Sequence, residues 1–263
     1  MFDFGLSSDI SIQTRRDSTM TSENTEPASD SSIATVPSAV PEPDPALAED
    51  LALALLNHRD LPAESVVQLA KNTTISKFRK VRFAIATHPR APRHLSLRLI
   101  REFYTFDLMR FALLPPVAAD LKRAAEELLV SRLASVTLGE RITLARRASG
   151  NVAAALLADK EKRVWQTALE NSRLTEAAVA AAIVRSKATP AFVEAVCRHP
   201  KWSLRQEIRL ALLRNEKTPP ARALEFARTL APAQLRDILL ASRLPQRVKN
   251  LLTEELGPAR SKK

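Results

Sequence analysis

The chain has 263 residues, 45% of them hydrophobic, which is enough for a sizeable core. Only four are glycine and one is cysteine; so little glycine argues against sheet-rich folds and phosphate-cradling loops, and a lone cysteine excludes an intramolecular disulfide. The net charge of +11 is unevenly spread: residues 1–50 hold ten carboxylates against Arg15 and Arg16, a net −8, which leaves +19 on the remainder.

Residues 1–45 are rich in Ser, Thr, Pro, Asp and Glu. Having few large apolar side chains to bury, they are expected to form a disordered acidic tail. Its first residues lack the basic start and apolar stretch of a secretory signal, and translation can be read as starting at Met1 or at Met20. No apolar run approaches the length of a membrane span, and a cytoplasmic, monomeric protein is expected. From Pro45 onward, apolar residues recur at helical spacing, with Leu47, Leu51 and Leu55 marking the face of a first helix and Val66, Leu69 and Ala70 that of a second. A third helix is predicted over Ser76–Thr87, with Phe78, Val81, Ala84 and Ile85 inward. A fourth runs from Pro92 to about Phe103, carrying Leu95, Leu99 and Ile100.

The rhythm then breaks. Phe103, Tyr104, Phe106 and Phe111 crowd together before Pro115 and Pro116, and read as a bulkier core or as an aromatic binding surface. The longest helix follows, through Leu121, Ala125, Leu128 and Leu129 to Leu133. Two capping boxes are predicted, Thr137 with Glu140 and Ser203 with Gln206, while Pro190, Pro220 and Pro232 suit first-turn positions. Six helices are expected between Thr175 and Leu256, and a disordered basic tail over 257–263.

One interval recurs throughout. An Asn or His closes a short helix, and a Ser, Thr or Pro four residues later opens the next: His58 to Pro62, His88 to Pro92, Asn171 to Thr175, His199 to Ser203 and Asn215 to Pro219, with Arg185 to Thr189 keeping the interval. This punctuation predicts an all-α protein, an α-α superhelix or HEAT-like solenoid of roughly 15 short helices over residues 46–256. Two segments match more than a helical period, Val81 to Pro92 and Leu157 to Asp159 followed by Val164 to Thr175. They resemble the leucine-rich repeat variant family, whose repeats are HEAT-like, and the resemblance implies a right-handed superhelix. Founding members of that family pair the repeats with a cysteine-ligated iron–sulfur cluster; Cys197 alone cannot supply those ligands, so no cofactor is carried over.

The histidines at the repeat position are expected to cap helix ends rather than bind metal, because neighbouring helices lie too far apart for them to converge. Trp202 reads as a hydrophobic staple ahead of a Ser203 cap. Trp165 occupies the slot of Arg82, a polar position of the repeat, and reads as a partly exposed contact residue or as packed on the next helix. The chain carries no nucleotide-binding, metalloprotease or hydrolase motif and is expected not to be an enzyme. HEAT-like DNA glycosylases engage damaged bases with Trp and Asp. Trp165 has Leu169 one turn on and Asp159 is the turn residue of the repeat, so that activity is only a third reading.

The cations are the functional signal. Lys77, Arg79, Lys80 and Arg82 cluster on the third helix, Arg90, Arg93, Arg98 and Arg101 follow, and Arg205 and Arg209 lie one turn apart, away from Leu204, Ile208 and Leu212. They read either as a solvated surface or, with Trp165, as a surface for an anionic partner. The leading expectation is a non-enzymatic scaffold binding an acidic protein or segment, including its own N-terminal tail; the alternative is sequence-nonspecific nucleic-acid binding.

Overall fold

The computed structural model describes residues 45–185 and 188–256, all within one compact unit. The tails expected at 1–45 and 257–263 lie outside the described residues, except that Pro45 opens the first helix. The described residues form sixteen helices and no strand. No helix among them is long and apolar enough to cross a membrane.

The helices fall into two series that alternate along the chain. One comprises α1 (Pro45–Asn57), α4 (Arg79–Thr87), α6 (Thr105–Leu113), α8 (Leu138–Arg147), α10 (Lys162–Leu169), α12 (Pro190–Arg198), α14 (Pro220–Ala227) and α16 (Gln246–Leu256). The other comprises α2 (Ala63–Lys71), α5 (Arg93–Ile100), α7 (Ala119–Arg132), α9 (Gly150–Leu156), α11 (Glu176–Val184), α13 (Gln206–Arg214) and α15 (Pro232–Ala241). A single turn, α3 (Thr73–Ser76), sits between α2 and α4 in the chain. Within the second series α5 packs on α7, α7 on α9, α9 on α11, α11 on α13 and α13 on α15; within the first, α1 packs on α4, α8 on α10, α10 on α12 and α14 on α16. Most of these helices are under eleven residues, too short to hold in water alone, so their stability comes from burying one face against such neighbours.

Helix starts follow the predicted punctuation at five of six places. Pro62, Pro92 and Pro219 immediately precede α2, α5 and α14, each with φ between −56° and −59°. Thr175 and Thr189 accept hydrogen bonds from the amides of Ala178 (3.3 Å) and Phe192 (3.2 Å), satisfying donors that the first turn leaves open. Thr137 and Glu140 close the predicted capping box, which holds the Glu140 carboxyl below its ordinary range. Pro190, Pro220 and Pro232 all occupy first-turn positions.

The residues in the first slot tie one helix end to an earlier one. Asn171 donates to the carbonyls of Ala145 (2.8 Å) and Ala148 (3.2 Å) at the end of α8, and accepts from the Arg173 amide (2.8 Å). Asn215 repeats this with Ile183 (2.5 Å) and Lys217 (2.8 Å). His88 accepts from the Arg90 amide at Nδ1 (3.2 Å), which leaves the proton on Nε2, 3.1 Å from the His58 carbonyl. His199 accepts from Lys201 in the same way, but its Nε2 meets the Glu170 carboxylate (3.2 Å); there the indole of Trp202 takes over the backbone tie, donating to the Leu169 carbonyl (2.9 Å). The ties therefore bridge helices rather than cap one helix. The interval also serves two kinds of turn, since His88, Asn171 and His199 end helices of the first series and Arg185 and Asn215 end helices of the second.

Several expectations are corrected. Leu47, Leu51 and Leu55 are 65%, 63% and 41% exposed, because α1 meets its neighbours through Ala52 and Leu56 instead. The helix predicted over Ser76–Thr87 is split: Asn72 caps α3 by accepting from the Thr74 amide, and extended Phe78 separates it from α4. The fourth helix ends at Ile100, three residues early. Ser203 does not cap a helix. The chain turns through it while Trp202 enters the core at 1% exposure, and α13 begins only at Gln206, so neither the box nor the staple forms and Leu204 points outward. Of the four crowded aromatics, Phe103 and Phe111 pack with Phe83 in the core, with ring centroids 5.6–6.3 Å apart, while Tyr104 and Phe106 remain exposed.

Two close approaches are testable. Asn171 is buried with three hydrogen bonds, so Asn171→Ala should lower stability by about 2–3 kcal/mol by stranding carbonyls. Urea unfolding with an unchanged slope would measure this, and Asn151→Ala, at an exposed contact to Glu126, should change little. At Gly150 a Cβ would fall on the Arg173 carbonyl oxygen, whereas at Gly139 it would meet nothing. Gly150→Ala should therefore cost about 1–3 kcal/mol, and Gly139→Ala should be neutral or stabilising. Burial pushes the Cys197 thiol up to about 11, so at pH 8 it is neutral. Ellman's reagent should leave it unmodified in the native chain and react fully once urea unfolds it.

Candidate functional site

The break in rhythm predicted after Phe103 has a structural consequence. Pro115 and Pro116 lie in the turn after α6, and α7, at fourteen residues the longest of the described helices, follows before α8. α6 packs closely on α7 and α8 on α10, but α6 and α8 have no comparable packing on each other. A groove of about 650 Å³ remains between them. Phe106, Met109, Leu113 and Leu114 supply its apolar surface, and Arg110 and Arg147 supply charge. Phe106 is 39% exposed there, an aromatic ring left in solvent beside a groove.

The rim is held by polar contacts with α4. Asp107 takes both arms of Arg79, at 2.6 Å from Nε and 2.8 Å from Nη2, and these bonds hold the guanidinium even further above its ordinary value. Arg79 also lies over the exposed Tyr104 ring (5.2 Å), and Arg110 over Phe83 (4.9 Å). Arg110 and Arg147 have no carboxylate within 4 Å among the described residues, so the groove has an apolar floor and two cations free to meet an anion.

The cations singled out in the sequence have different surroundings. Arg79 pairs with Asp107, Lys80 with Glu49 (3.8 Å), Arg82 with Glu102 (2.9 Å), Arg90 with Asp60 (3.4 Å) and Arg93 with Asp120. These partners lie on other helices or turns, 28 residues away for Asp107 and 30 for Asp60, so the pairs link successive parts of the stack and cancel much of the cluster's charge. With at least one member of each pair well exposed to solvent, each is worth about 1 kcal/mol or less. Lys77, lying over the Phe78 ring, Arg98 and Arg101 have no carboxylate partner among the described residues. Arg205 ends the turn before α13 and is exposed, but Arg209 folds back onto the Ser203 carbonyl (2.8 Å) and the Phe226 ring. Trp165, aligned with Arg82 in the sequence, is 4% exposed and packs in a T-shaped contact with Phe192, with centroids 5.6 Å apart, so it is part of the core. Asp159 is occupied as a turn residue, accepting from the Glu161 amide and lying 3.5 Å from Arg141.

The groove residues Phe106, Arg110 and Arg147 were legible only indirectly, through the aromatic crowding and the proline pair that disturb the repeat. Comparison with protein-family models, with curated proteins and with solved structures gives no significant match to any of them.

Proposed function

We propose that this chain is a non-enzymatic helical-repeat scaffold, of the α-α superhelical type that resembles leucine-rich repeat variant proteins, and that the groove between α6 and α8 holds an acidic protein segment bearing apolar side chains. The superhelical reading is supported by the next-but-one packing of both helix series and by the ties from Asn171, Asn215 and His88 to earlier helix ends. The observation that carries the binding reading is the groove itself, whose apolar floor would bury hydrophobic anchors while Arg110 and Arg147 face carboxylates. Ion pairing favours a protein segment over a polynucleotide, because five of the eight N-terminal cations already face carboxylates and are not free to neutralise a run of phosphates.

Fluorescence anisotropy with a labelled peptide of alternating Glu and Leu or Phe should show saturable binding to the full chain. Arg110→Glu with Arg147→Glu should weaken it by about tenfold or more, and Phe106→Ala should cost about 1–3 kcal/mol, with melting temperatures unchanged. Polyglutamate, lacking anchors, should bind less well. A single-stranded oligonucleotide that binds more tightly, with an affinity falling steeply as salt rises, would overturn the reading in favour of nucleic acid.

A further inference from the structure

A second concavity, of about 180 Å³, lies where α11, α13 and α15 end. Arg185 is the C-terminal cap of α11, Arg214 is the last residue of α13, and Arg243 follows the cap of α15. Each is 29 residues after the last, and each lies within two residues of the end of its helix. Packing of α11 on α13 and of α13 on α15 places the three ends in succession, and the Arg243 amide donates to the Arg214 carbonyl (3.0 Å). All three arginines line the concavity and are exposed.

Unlike Arg79, Arg82, Arg90 and Arg93, these arginines have no carboxylate within 4 Å among the described residues. Glu216, the carboxylate that lines the same concavity, faces the Lys217 ammonium at 3.9 Å, and Lys217 also donates to the Ala188 carbonyl (2.7 Å). That pair is neutral, so three guanidinium charges remain. Helix C-termini offset part of this, each carrying about half a negative charge, which leaves roughly +1.5 around the concavity. A basic residue near one helix end is ordinary; three on consecutive ends around one hollow repel one another and meet no carboxylate within 4 Å among the described residues.

We propose that this concavity binds a phosphomonoester. Such a group carries about −1.5 to −2 near pH 7, which matches the residual charge, whereas the diester of a nucleic-acid backbone carries about −1 per phosphate. Its three terminal oxygens suit the planar forks of several guanidinium groups, which a point-charged ammonium matches less well. The phosphomonoester comes from a small phosphorylated molecule or from a phosphorylated side chain, and the chemistry of recognition is shared. The site is separate from the α6–α8 groove, so the two readings stand or fall independently.

The test is titration of the full chain, labelled with ¹⁵N in arginine, with O-phosphoserine, with inorganic phosphate and with a phosphoserine peptide beside its unphosphorylated form. Phosphoserine should shift three arginine Nε–Hε resonances saturably. Arg214→Gln should weaken binding about tenfold without changing the melting temperature, and Arg214→Lys should fall between. Arg236→Gln, altering an arginine of α15 that reaches the Pro232 carbonyl of its own helix, should have no effect. Lowering the pH below about 6, where the monoester dianion takes up a proton and becomes a monoanion, should also weaken binding. A phosphopeptide binding about tenfold more tightly than free phosphoserine identifies a protein source, and equal affinity a small molecule. The proposal is overturned if neither phosphoserine nor inorganic phosphate saturates the shifts by about 10 mM at low salt, if Arg214→Gln binds as tightly as the parent, or if an oligonucleotide of equal phosphate content displaces phosphoserine.

Discussion

The tie between one helix end and another is the interaction on which this structure depends. A helix of eight or nine residues leaves its last carbonyls without intrahelical donors, and buried carbonyls need partners. Asn171, Asn215 and His88 supply them from the following repeat, while each ring or amide accepts from the backbone two residues on. Such a side chain fixes both the local turn and the position of the next helix. Its recurrence at His88, Asn171 and Asn215 holds three helix ends against earlier ones.

Regularity and its interruption have different consequences for binding. Where the ties recur, successive helix ends fall side by side, and arginines 29 residues apart come to line one hollow. Where the spacing is disturbed, after the Pro115–Pro116 turn and beside the long α7, an apolar groove lies between α6 and α8. The N-terminal cations contribute differently again. Most are joined to carboxylates of neighbouring elements, so their number overstates the charge available to a partner.

What was legible beforehand was mainly local chemistry. Proline at Pro62, Pro92 and Pro219, and the hydroxyls of Thr137, Thr175 and Thr189, mark helix starts because each acts within one turn of its own position. Ser203 has the same local pattern and fails, because burying Trp202 and bonding its indole to Leu169 outweighs a cap worth about 1 kcal/mol. Leu204 then turns outward with the shifted helix start. Trp165 aligns with the polar Arg82 and is nonetheless buried, in a T-shaped contact with Phe192 on α12.

The amino-acid sequence by itself determined the helical class, most turns and the place where the spacing is disturbed, because spacing and capping act between residues close in the chain. Only the tertiary structure decided which cations are neutralised, which aromatics stay exposed, and that Arg185, Arg214 and Arg243 share a concavity. Those outcomes depend on partners some 20 to 60 residues away, and so on how successive helices are set against one another.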